Sequence, residues 1–407
     1  MSVSLDDKCA RCGACLAVCP VYAVTLKERF SPRGKNYLLK RSGIDRKNPL
    51  FIETIRACLQ CGACTAVCTS GADVRSLIRE ERHEHGFFRT LPGPVYSLLV
   101  NRALSGMLVK AAAILPADKG KGRTGKGVFR NFLDVRNKIE PAEKSFLSQA
   151  EKRIKGFTRF TEGLRGGKEL PRTALFVGCV QDLLFPQIPS KMAALAGKGV
   201  IIPKSQTCCG LPAFSAGAEH YARKTVIRNL QAFGHEDFQV LLTGCASCAS
   251  MIKKWPGLFE KGSDHWQQAL FLSEKVMEFS RFALEFLPPM TSFASEGLVA
   301  FQMPCHQRYD LKHPADPLKV LERNLGERFV SKELGCCGQG GVFAFSRPDV
   351  SGAIFDHTLS RLAPGVNIIS TTCSGCLLRL RLGIDDHKIT ACHVVDTMIP
   401  DINRDKQ

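Results

Sequence analysis

The sequence lacks the features of exported and membrane-spanning proteins. Its first residues, MSVSLDDKCARCGAC, contain no apolar signal-peptide core, so we expect a cytoplasmic protein. No stretch reads as a clean membrane span, because the most apolar run, 92–116, is interrupted by Asn101, Arg102 and Lys110. That run predicts an amphipathic or buried helix. The alternative is that this run contacts the inner face of the membrane peripherally.

Acidic residues are scarce, with 38 Asp and Glu against 56 Lys and Arg and a formal net charge of +18. Much of the excess lies between Lys119 and Arg172. This segment reads as a solvated linker and helix face, or as a docking site for an acidic partner or anionic lipid. No nucleic-acid motif accompanies the charge, so we expect no nucleic-acid partner. The glycines among its lysines do not match the phosphate-loop pattern.

Motifs of substrate chemistry are also missing. No glycine-rich dinucleotide fingerprint follows a predicted strand, and we find no flavin motif and no catalytic triad. We therefore predict no catalytic residues and no flavin on this chain.

Cysteine, in contrast, is abundant and ordered. Eighteen of the nineteen cysteines form four blocks of two kinds, each kind present twice. In a reducing compartment such thiols bind metal or react more often than they form disulfides. We predict that Cys392, the remaining cysteine, is a buried structural thiol.

The first kind of block has the spacing C-x2-C-x2-C-x3-C, which suits cubane [4Fe–4S] clusters. In proteins with two such runs, the fourth cysteine of each run ligates the other cluster. A zinc site is the alternative, but zinc typically uses two separated C-x2-C pairs. The predicted ligands are Cys9, Cys12, Cys15 and Cys68 for cluster 1, and Cys58, Cys61, Cys64 and Cys19 for cluster 2.

The second kind of block brings five cysteines together, including an adjacent pair followed by glycine. Thirty-six positions separate Cys209 from Cys245, and likewise Cys337 from Cys373, which indicates a duplication. Vicinal thiols can also oxidise, so disulfide or nucleophilic chemistry is the alternative to metal binding. The two sets are Cys179, Cys208, Cys209, Cys245 and Cys248, and Cys305, Cys336, Cys337, Cys373 and Cys376.

Patterning around the blocks predicts an α+β protein of several domains. We expect a helical two-cluster ferredoxin-type module at 1–90, a helical segment and basic linker at 91–170, and duplicated α/β cysteine-rich domains at 171–290 and 291–407. In each duplicate, strand-like runs end at cysteines, as expected for a site at the carboxyl ends of parallel strands. The segment 31–35, Ser-Pro-Arg-Gly-Lys, predicts a turn.

These blocks resemble those of the glycolate/lactate oxidase iron–sulfur subunit family, whose cysteine-rich (CCG) domains also occur in heterodisulfide reductase. Three motifs carry the similarity together with segment 31–35: Gly178-Cys179-Val180-Gln181, Pro304-Cys305-His306 and Cys336-Cys337-Gly338-Gln339-Gly340-Gly341. The resemblance implies one further iron–sulfur cluster in each CCG domain, cluster 3 in the first and cluster 4 in the second. The noncubane [4Fe–4S] type of the heterodisulfide branch is one option for them. His306 and His393 are expected to support or pack rather than ligate.

The first functional hypothesis is an electron-transfer subunit. A separate flavin-dependent 2-hydroxyacid dehydrogenase subunit, acting on glycolate or lactate, would pass electrons through this chain to quinone or another acceptor. One alternative is a heterodisulfide reductase-like catalytic subunit. Another is the iron–sulfur subunit of a quinone-linked glycerol-3-phosphate dehydrogenase.

Overall fold

A computed structural model describes residues 8–85, 96, 139, 145–152, 154–155, 169–234, 236–290, 293, 295–384 and 388–399. All of the apolar run 92–116 except Tyr96, and most of the basic segment Lys119–Arg172, lie outside these residues. The helix and docking site predicted there therefore stay predictions.

The N-terminal module consists of short helices started by well-defined caps. Ser31 accepts a hydrogen bond from the amide of Gly34 at 2.9 Å, and Asp73 accepts one from the amide of Ser76 at 3.2 Å. Such caps pair amides that a helix leaves unsatisfied at its first turn. The helices are α1 Ala14–Ala17, α2 Pro20–Thr25, α3 Pro32–Lys40, α4 Pro49–Arg56, α5 Ala63–Ala66 and α6 Val74–Glu84.

The two short-spaced cysteine motifs adopt the same backbone conformation. Gly13 has φ 85° and Gly62 has φ 86°, while Arg11 and Gln60 have φ 55° and 59°. Positive φ favours glycine, so each Cys-Gly step lets the loop turn into its helix. The helices that follow, α1 and α5, pack against each other.

The turn predicted at 31–35 is wrong. Ser31 caps α3, and Pro32 is its first residue. Proline is tolerated there because its missing amide would have had no partner in any case. The same residue types that mark turns therefore begin a helix here.

The first CCG domain is built on a parallel sheet. Strand β2 lies between β1 and β3, and Ile201 pairs with Ala174 on the outer side of β1. Its elements are β1 Thr173–Leu175, α7 Cys179–Leu183, α8 Gln187–Ala196, α9 Leu211–Ser215, α10 Glu219–Phe233, β2 Val240–Thr243, α11 Ala246–Lys254, α12 Asp264–Lys275, β3 Val276–Glu278 and α13 Phe279–Phe286.

The second CCG domain repeats this order. Its parallel sheet runs β5-β4-β6-β7, so β5 stands where Ile201 stands in the first sheet. The elements are β4 Leu298–Phe301, α14 Cys305–Asp310, α15 Asp316–Leu325, β5 Phe329–Val330, α16 Phe343–Ser346, α17 Pro348–Leu359, β6 Val366–Thr371, α18 Ser374–Gly383 and β7 Thr390–His393. The predicted fold class is confirmed, and β3 and β7 are strands that the sequence patterns did not predict.

One hydrophobic core is shared by the two CCG domains. It contains Leu175 and Leu242 from the first sheet together with Val299 and Ile369 from the second. Buried Phe146, from the segment that precedes the first sheet, joins the same core. Part of the predicted linker is therefore packed structure.

Candidate metal centres

The cysteines of the first block lie at the protein surface. Cys12 is exposed, and Cys9 and Cys15 are half-buried. Their loop is tied to α3, because the Arg33 guanidinium donates to the carbonyl of Arg11 at 3.3 Å. Even partial burial raises the pKa of Cys15. This end of the module is the one that a reaction partner can approach most closely.

Cys68, assigned by sequence to the same cluster, lies just beyond the C-terminal end of α5. The packing of α5 on α1 brings the two motifs together. The backbone amide of Ala72 donates to the Cys68 sulfur at 3.3 Å. An amide donor of this kind stabilises negative charge on sulfur.

The second set of thiols lines one cavity. Cys19, Cys58, Cys61 and Cys64 all face a cavity of about 30 Å³ inside the module. Burial raises the pKa of Cys61 to about 12 and raises that of Cys64 further, so neither thiol ionises readily without a cation. Four converging thiols are the donor set that a cubane needs.

Lys35 supplies a buried positive charge to this cavity. Its side chain is 2% exposed and donates to the carbonyl of Phe30 at 2.8 Å and to that of Ala57. Burial raises the pKa of Cys19, and Lys35 partly offsets that rise. A fixed ammonium beside four thiols suits an anionic occupant. The sequence analysis missed Lys35, which follows Gly34 within α3.

The five cysteines of the first CCG block form a continuous sulfur group. Cys179 and Cys208 lie with their sulfurs 3.7 Å apart. Cys209 contacts both Cys208 and Cys248, and Cys248 in turn contacts Cys245. Hydrogen bonds from Cys208 and Cys248 lower the pKa of Cys209 to about 6. The group therefore already favours one thiolate.

The second CCG block repeats the arrangement. The sulfurs of Cys337 and Cys376 are 3.1 Å apart, and Cys336 contacts Cys337 while Cys373 contacts Cys376. Hydrogen bonds from Cys336 and Cys376 hold the pKa of Cys337 well below its usual value. Burial raises the pKa of Cys305, and Cys337 and Cys373 are among the charges that raise it further.

The two CCG blocks meet at their closing cysteine pairs. Cys245 and Cys373 lie within hydrogen-bond contact, and the Ser247 hydroxyl lies 3.1 Å from the Cys373 sulfur. The amide of Ala246 also donates to the carbonyl of Thr372 at 2.9 Å. The sulfur contacts thus continue from one domain into the other, which the duplication alone did not predict.

The ferredoxin-type module faces the second CCG block. A cavity of about 230 Å³ lies between them and is lined by Cys19 and Cys61 on one side and by Cys305, Cys336 and Cys337 on the other. Cys61 is close enough to raise the pKa of both Cys305 and Cys336. The order of the blocks in space is therefore not their order in the sequence.

Asp310, at the end of α14, ties three modules together. Its carboxylate pairs with Arg75 of the ferredoxin-type module at 3.0 Å and with Lys254 of the first CCG domain at 2.6 Å. Ser250 donates to it at 2.6 Å. Burial opposes its ionisation, but His306, Lys254 and Arg75 outweigh burial and lower its pKa to about 2.

His306 lies between this carboxylate and the cysteines. Burial lowers its pKa to about 4, so the ring is neutral at pH 7 and the permanent cations keep Asp310 ionised there. Its Nδ1 lies 2.8 Å from the Ser247 hydroxyl and 3.8 Å from the Cys305 sulfur. The ring touches groups beside the thiols, and its expected supporting role stays a prediction.

His393 and Cys392 lie on β7. The Nδ1 of His393 accepts from the amide of Val395 at 3.1 Å, so Nε2 carries the proton and donates to the carbonyl of Gly244 at 2.7 Å. Burial lowers the pKa of His393, and it raises that of Cys392, which is half-buried against the shared core rather than fully buried as predicted, to about 12. Both side chains are therefore neutral at pH 7, as packing groups would be.

Arg82 is a second junction residue that the sequence analysis missed. Its guanidinium is buried, at 3% exposure, and donates to the carbonyls of Ile55, Cys58 and Ser215 at 2.7–3.1 Å. Ser215 belongs to the first CCG domain, so this side chain joins α6 to that domain. Burial lowers its pKa, although an arginine stays charged at pH 7.

Comparison with known proteins identifies the modules. The profile of the 4Fe-4S dicluster domain matches residues 6–72, and that of the cysteine-rich domain matches residues 173–253 and 299–381. The protein is thus of the iron–sulfur class that combines a dicluster ferredoxin-type module with a duplicated cysteine-rich domain.

Two relatives are similar in sequence, one over nearly the whole chain and one over part of it. The chain is 27% identical over 416 residues to the probable glycolate oxidase iron-sulfur subunit of Bacillus subtilis, with 96% of this chain and 93% of the relative covered. It is 28% identical over 246 residues to lactate utilization protein A 1 of Bacillus anthracis, covering 57% of this chain and 100% of the relative. The predicted resemblance to the glycolate/lactate oxidase iron–sulfur subunit family is confirmed.

Within the described ranges, the helices are too short or too polar to cross a bilayer. The predicted contact with a membrane surface stays a prediction.

Proposed function

We propose that this protein is the electron-transfer subunit of a flavin-dependent 2-hydroxyacid dehydrogenase, of the glycolate or lactate class. It takes electrons from a separate flavoprotein and delivers them to quinone or another acceptor. The observation that carries the proposal is the succession of neighbouring cysteine blocks, from exposed Cys12 through the cavity between Cys61 and Cys305 to the contact between Cys245 and Cys373.

The proposed ligand sets come from the motif spacing, and the small cavity supports that of cluster 2. Cluster 1 takes Cys9, Cys12, Cys15 and Cys68, and cluster 2 takes the four cysteines that line the small cavity. The two CCG blocks, with five thiols each, hold one cluster apiece. Five thiols exceed the four that a cubane uses, which supports the noncubane type.

Iron–sulfur clusters, when bound, accept and release single electrons. Several residues of this chain donate hydrogen bonds to the cysteine sulfurs that would hold such clusters. Gln60 and Ala72 donate backbone hydrogen bonds to sulfur in the first module, and Gly210 and Gly338 do so beside the vicinal cysteines. Such donors stabilise the added negative charge of a reduced site and raise its potential. Lys35 does the same as a buried cation.

The spatial order gives the second CCG domain the middle position. Cys61 faces Cys305 and Cys336, and Cys373 faces Cys245. Electrons that pass between the ferredoxin-type module and the first CCG domain therefore have their shortest route through the second. A substitution in the second CCG block should interrupt transfer to the first.

The test uses anaerobically loaded protein. Alone it should take up electrons from dithionite and return them to a dye, yet oxidise neither glycolate nor lactate. Adding a flavin-dependent dehydrogenase for those acids should restore acid-dependent dye reduction. A loaded protein that oxidises either acid by itself would contradict the proposal, as would iron and sulfide sufficient for only two clusters.

A heterodisulfide reductase-like activity is the second candidate, and the cavity of about 230 Å³ favours it. A small disulfide could enter there and reach Cys305, Cys336 and Cys337. Under this candidate the isolated protein, reduced chemically, cleaves a low-molecular-weight disulfide, and Cys337→Ser abolishes the turnover. Disulfide reduction without a partner would replace the first proposal with this one.

A further inference from the structure

Beside the first cysteine block lies an open depression of about 500 Å³. We call it the basic depression and define it by Arg11, Arg33, Tyr37, Lys40 and Arg41, which line it together with Cys9. Four of these five side chains are cations. Among the described residues of the lining, Glu28 supplies the carboxylate, and it is paired with Arg33 at 2.9 Å.

Two of the four cations of the basic depression lie beside an aromatic ring. The Arg11 guanidinium lies 5.7 Å from the centre of the Tyr37 ring, and that of Arg41 lies 4.6 Å from it. Arg41 also donates to the Tyr37 hydroxyl. Tyr37 is 42% exposed, so the surface combines fixed positive charge with an apolar face. Arginine and tyrosine are the residues that most often anchor protein interfaces.

The position of the basic depression, close to the exposed first cysteine block, is as informative as its charge. Cys12 is exposed, whereas most cysteines of the CCG blocks are buried. Leu26, 76% exposed, adds an apolar residue on the same module. A redox partner that docks here comes as near to a predicted cluster as the described surface permits. A lipid surface is the other occupant that positive charge at this place would attract.

We infer that the basic depression is the docking surface for an acidic redox protein, which exchanges electrons with the chain at its first cysteine block. This inference rests on the proposed electron-transfer function and adds to it the place of docking and the charge of the partner. Attraction between opposite charges raises the association rate and weakens as salt shortens the screening length.

The experiment uses the full, loaded chain and reduced flavodoxin, a small acidic flavoprotein, as the probe. Stopped-flow absorbance follows electron transfer to the protein at low and high ionic strength. The test variant is Lys40→Glu/Arg41→Glu. The control is Lys224→Glu/Lys261→Glu, which makes the same change in charge at exposed positions of the first CCG domain. Dithionite reduction and iron content verify that each variant is loaded.

The wild-type rate constant should fall as salt rises, and the test variant should react about tenfold more slowly at low salt. The control variant should stay within about twofold of wild type. Equal rates for test variant and wild type, or an equal loss in the control, would overturn the inference while leaving electron transfer itself intact. Wild-type protein that dithionite cannot reduce would overturn the proposed function and the inference together.

A second experiment tests whether the basic depression binds a lipid surface instead of a redox protein. Vesicles containing phosphatidylglycerol are sedimented with each variant. If Lys40→Glu/Arg41→Glu releases the protein from vesicles but reacts with flavodoxin at the wild-type rate, the basic depression is a lipid contact and the inference is wrong. Loss of the flavodoxin reaction without a change in vesicle binding supports it.

Discussion

Replacing Asp310 by asparagine tests whether one carboxylate holds the modules together. The substitution keeps the shape of the side chain but removes the charge that faces Arg75 and Lys254. Its environment lowers the pKa of Asp310 from 3.8 to about 2. One pKa unit corresponds to about 1.4 kcal/mol, so the ionised form is stabilised by about 2 to 3 kcal/mol. The two cations are 19% and 26% exposed, and the part of the shift that protonated His306 contributes is absent at pH 7, so the lower figure applies there.

Hydrogen exchange of backbone amides measures this loss where it occurs. Opening of the junction should become easier by about 2 kcal/mol, which speeds exchange in α6, α11 and α14 about 30-fold if they open together. Asp237→Asn is the control, because its ion pair with Arg172 is largely exposed and is expected to contribute less than about 1 kcal/mol. Exchange in Asp310→Asn no faster than in the control would refute the reasoning.

The pH dependence of this effect has a definite sign. A carboxyl group whose pKa is lowered by folding stabilises the protein above its unfolded value, here about 3.8, and loses that effect as the pH falls toward 2. His306 has a pKa of about 4, so its ring is neutral at pH 6 and above. The difference in exchange between wild type and Asp310→Asn should therefore be constant from about pH 6 to 8. A marked change across that range would mean that another group carries the junction.

Three further predictions, two of them with a matched control substitution, test the site and its supports. Cys64→Ser should lower iron content and remove one cubane signal from the electron paramagnetic resonance spectrum, whereas Cys392→Ser should change neither. Gly217→Ala should destabilise the loaded protein by more than about 2 kcal/mol in thermal unfolding, because its Cβ would lie 2.5–2.6 Å from backbone atoms of Arg82 and His83 in the ferredoxin-type module. Gly262→Ala is the control and should cost about 1 kcal/mol, because the space around its Cβ is open. Lys191→Met should cost about 3 to 5 kcal/mol in the same assay, because it leaves the carboxylate of a buried ion pair without its cation; a loss below 1 kcal/mol would contradict that account.

The cysteine spacing and the strand-like runs were enough to predict the modules. Strand-like runs such as 240–245 end at cysteines, and β2 is observed at Val240–Thr243, with Gly244 between the strand and Cys245. Local patterns failed where the element was very short or the signal ambiguous. Strand β3 has three residues, Val276–Glu278, and is defined by its pairing with β2 rather than by its own composition. Segment 31–35 has turn residues that serve as a helix start.

The junctions could not be predicted from local pattern, because their partners are far apart in the chain. Arg75 and Asp310 are separated by 235 positions, and Cys245 and Cys373 belong to different domains. Each of these residues taken alone resembles many surface charges or ligand cysteines. What gives them their role is the docking of one module on another, which depends on the shape of both surfaces.

The duplication itself contains the signal that distinguishes the two copies. When Cys179 is aligned with Cys305, Leu184 falls at the position of Asp310, and Asp182 at that of Arg308. Leu184 packs against the shared core, and buried Asp182 accepts hydrogen bonds from the amides of residues 146 and 147 at 2.9–3.0 Å. The helix after the first cysteine thus holds the preceding segment in one copy and the ferredoxin-type module in the other. The two cysteine blocks are alike, but the residues beside them differ. This difference places the second CCG domain between the ferredoxin-type module and the first CCG domain.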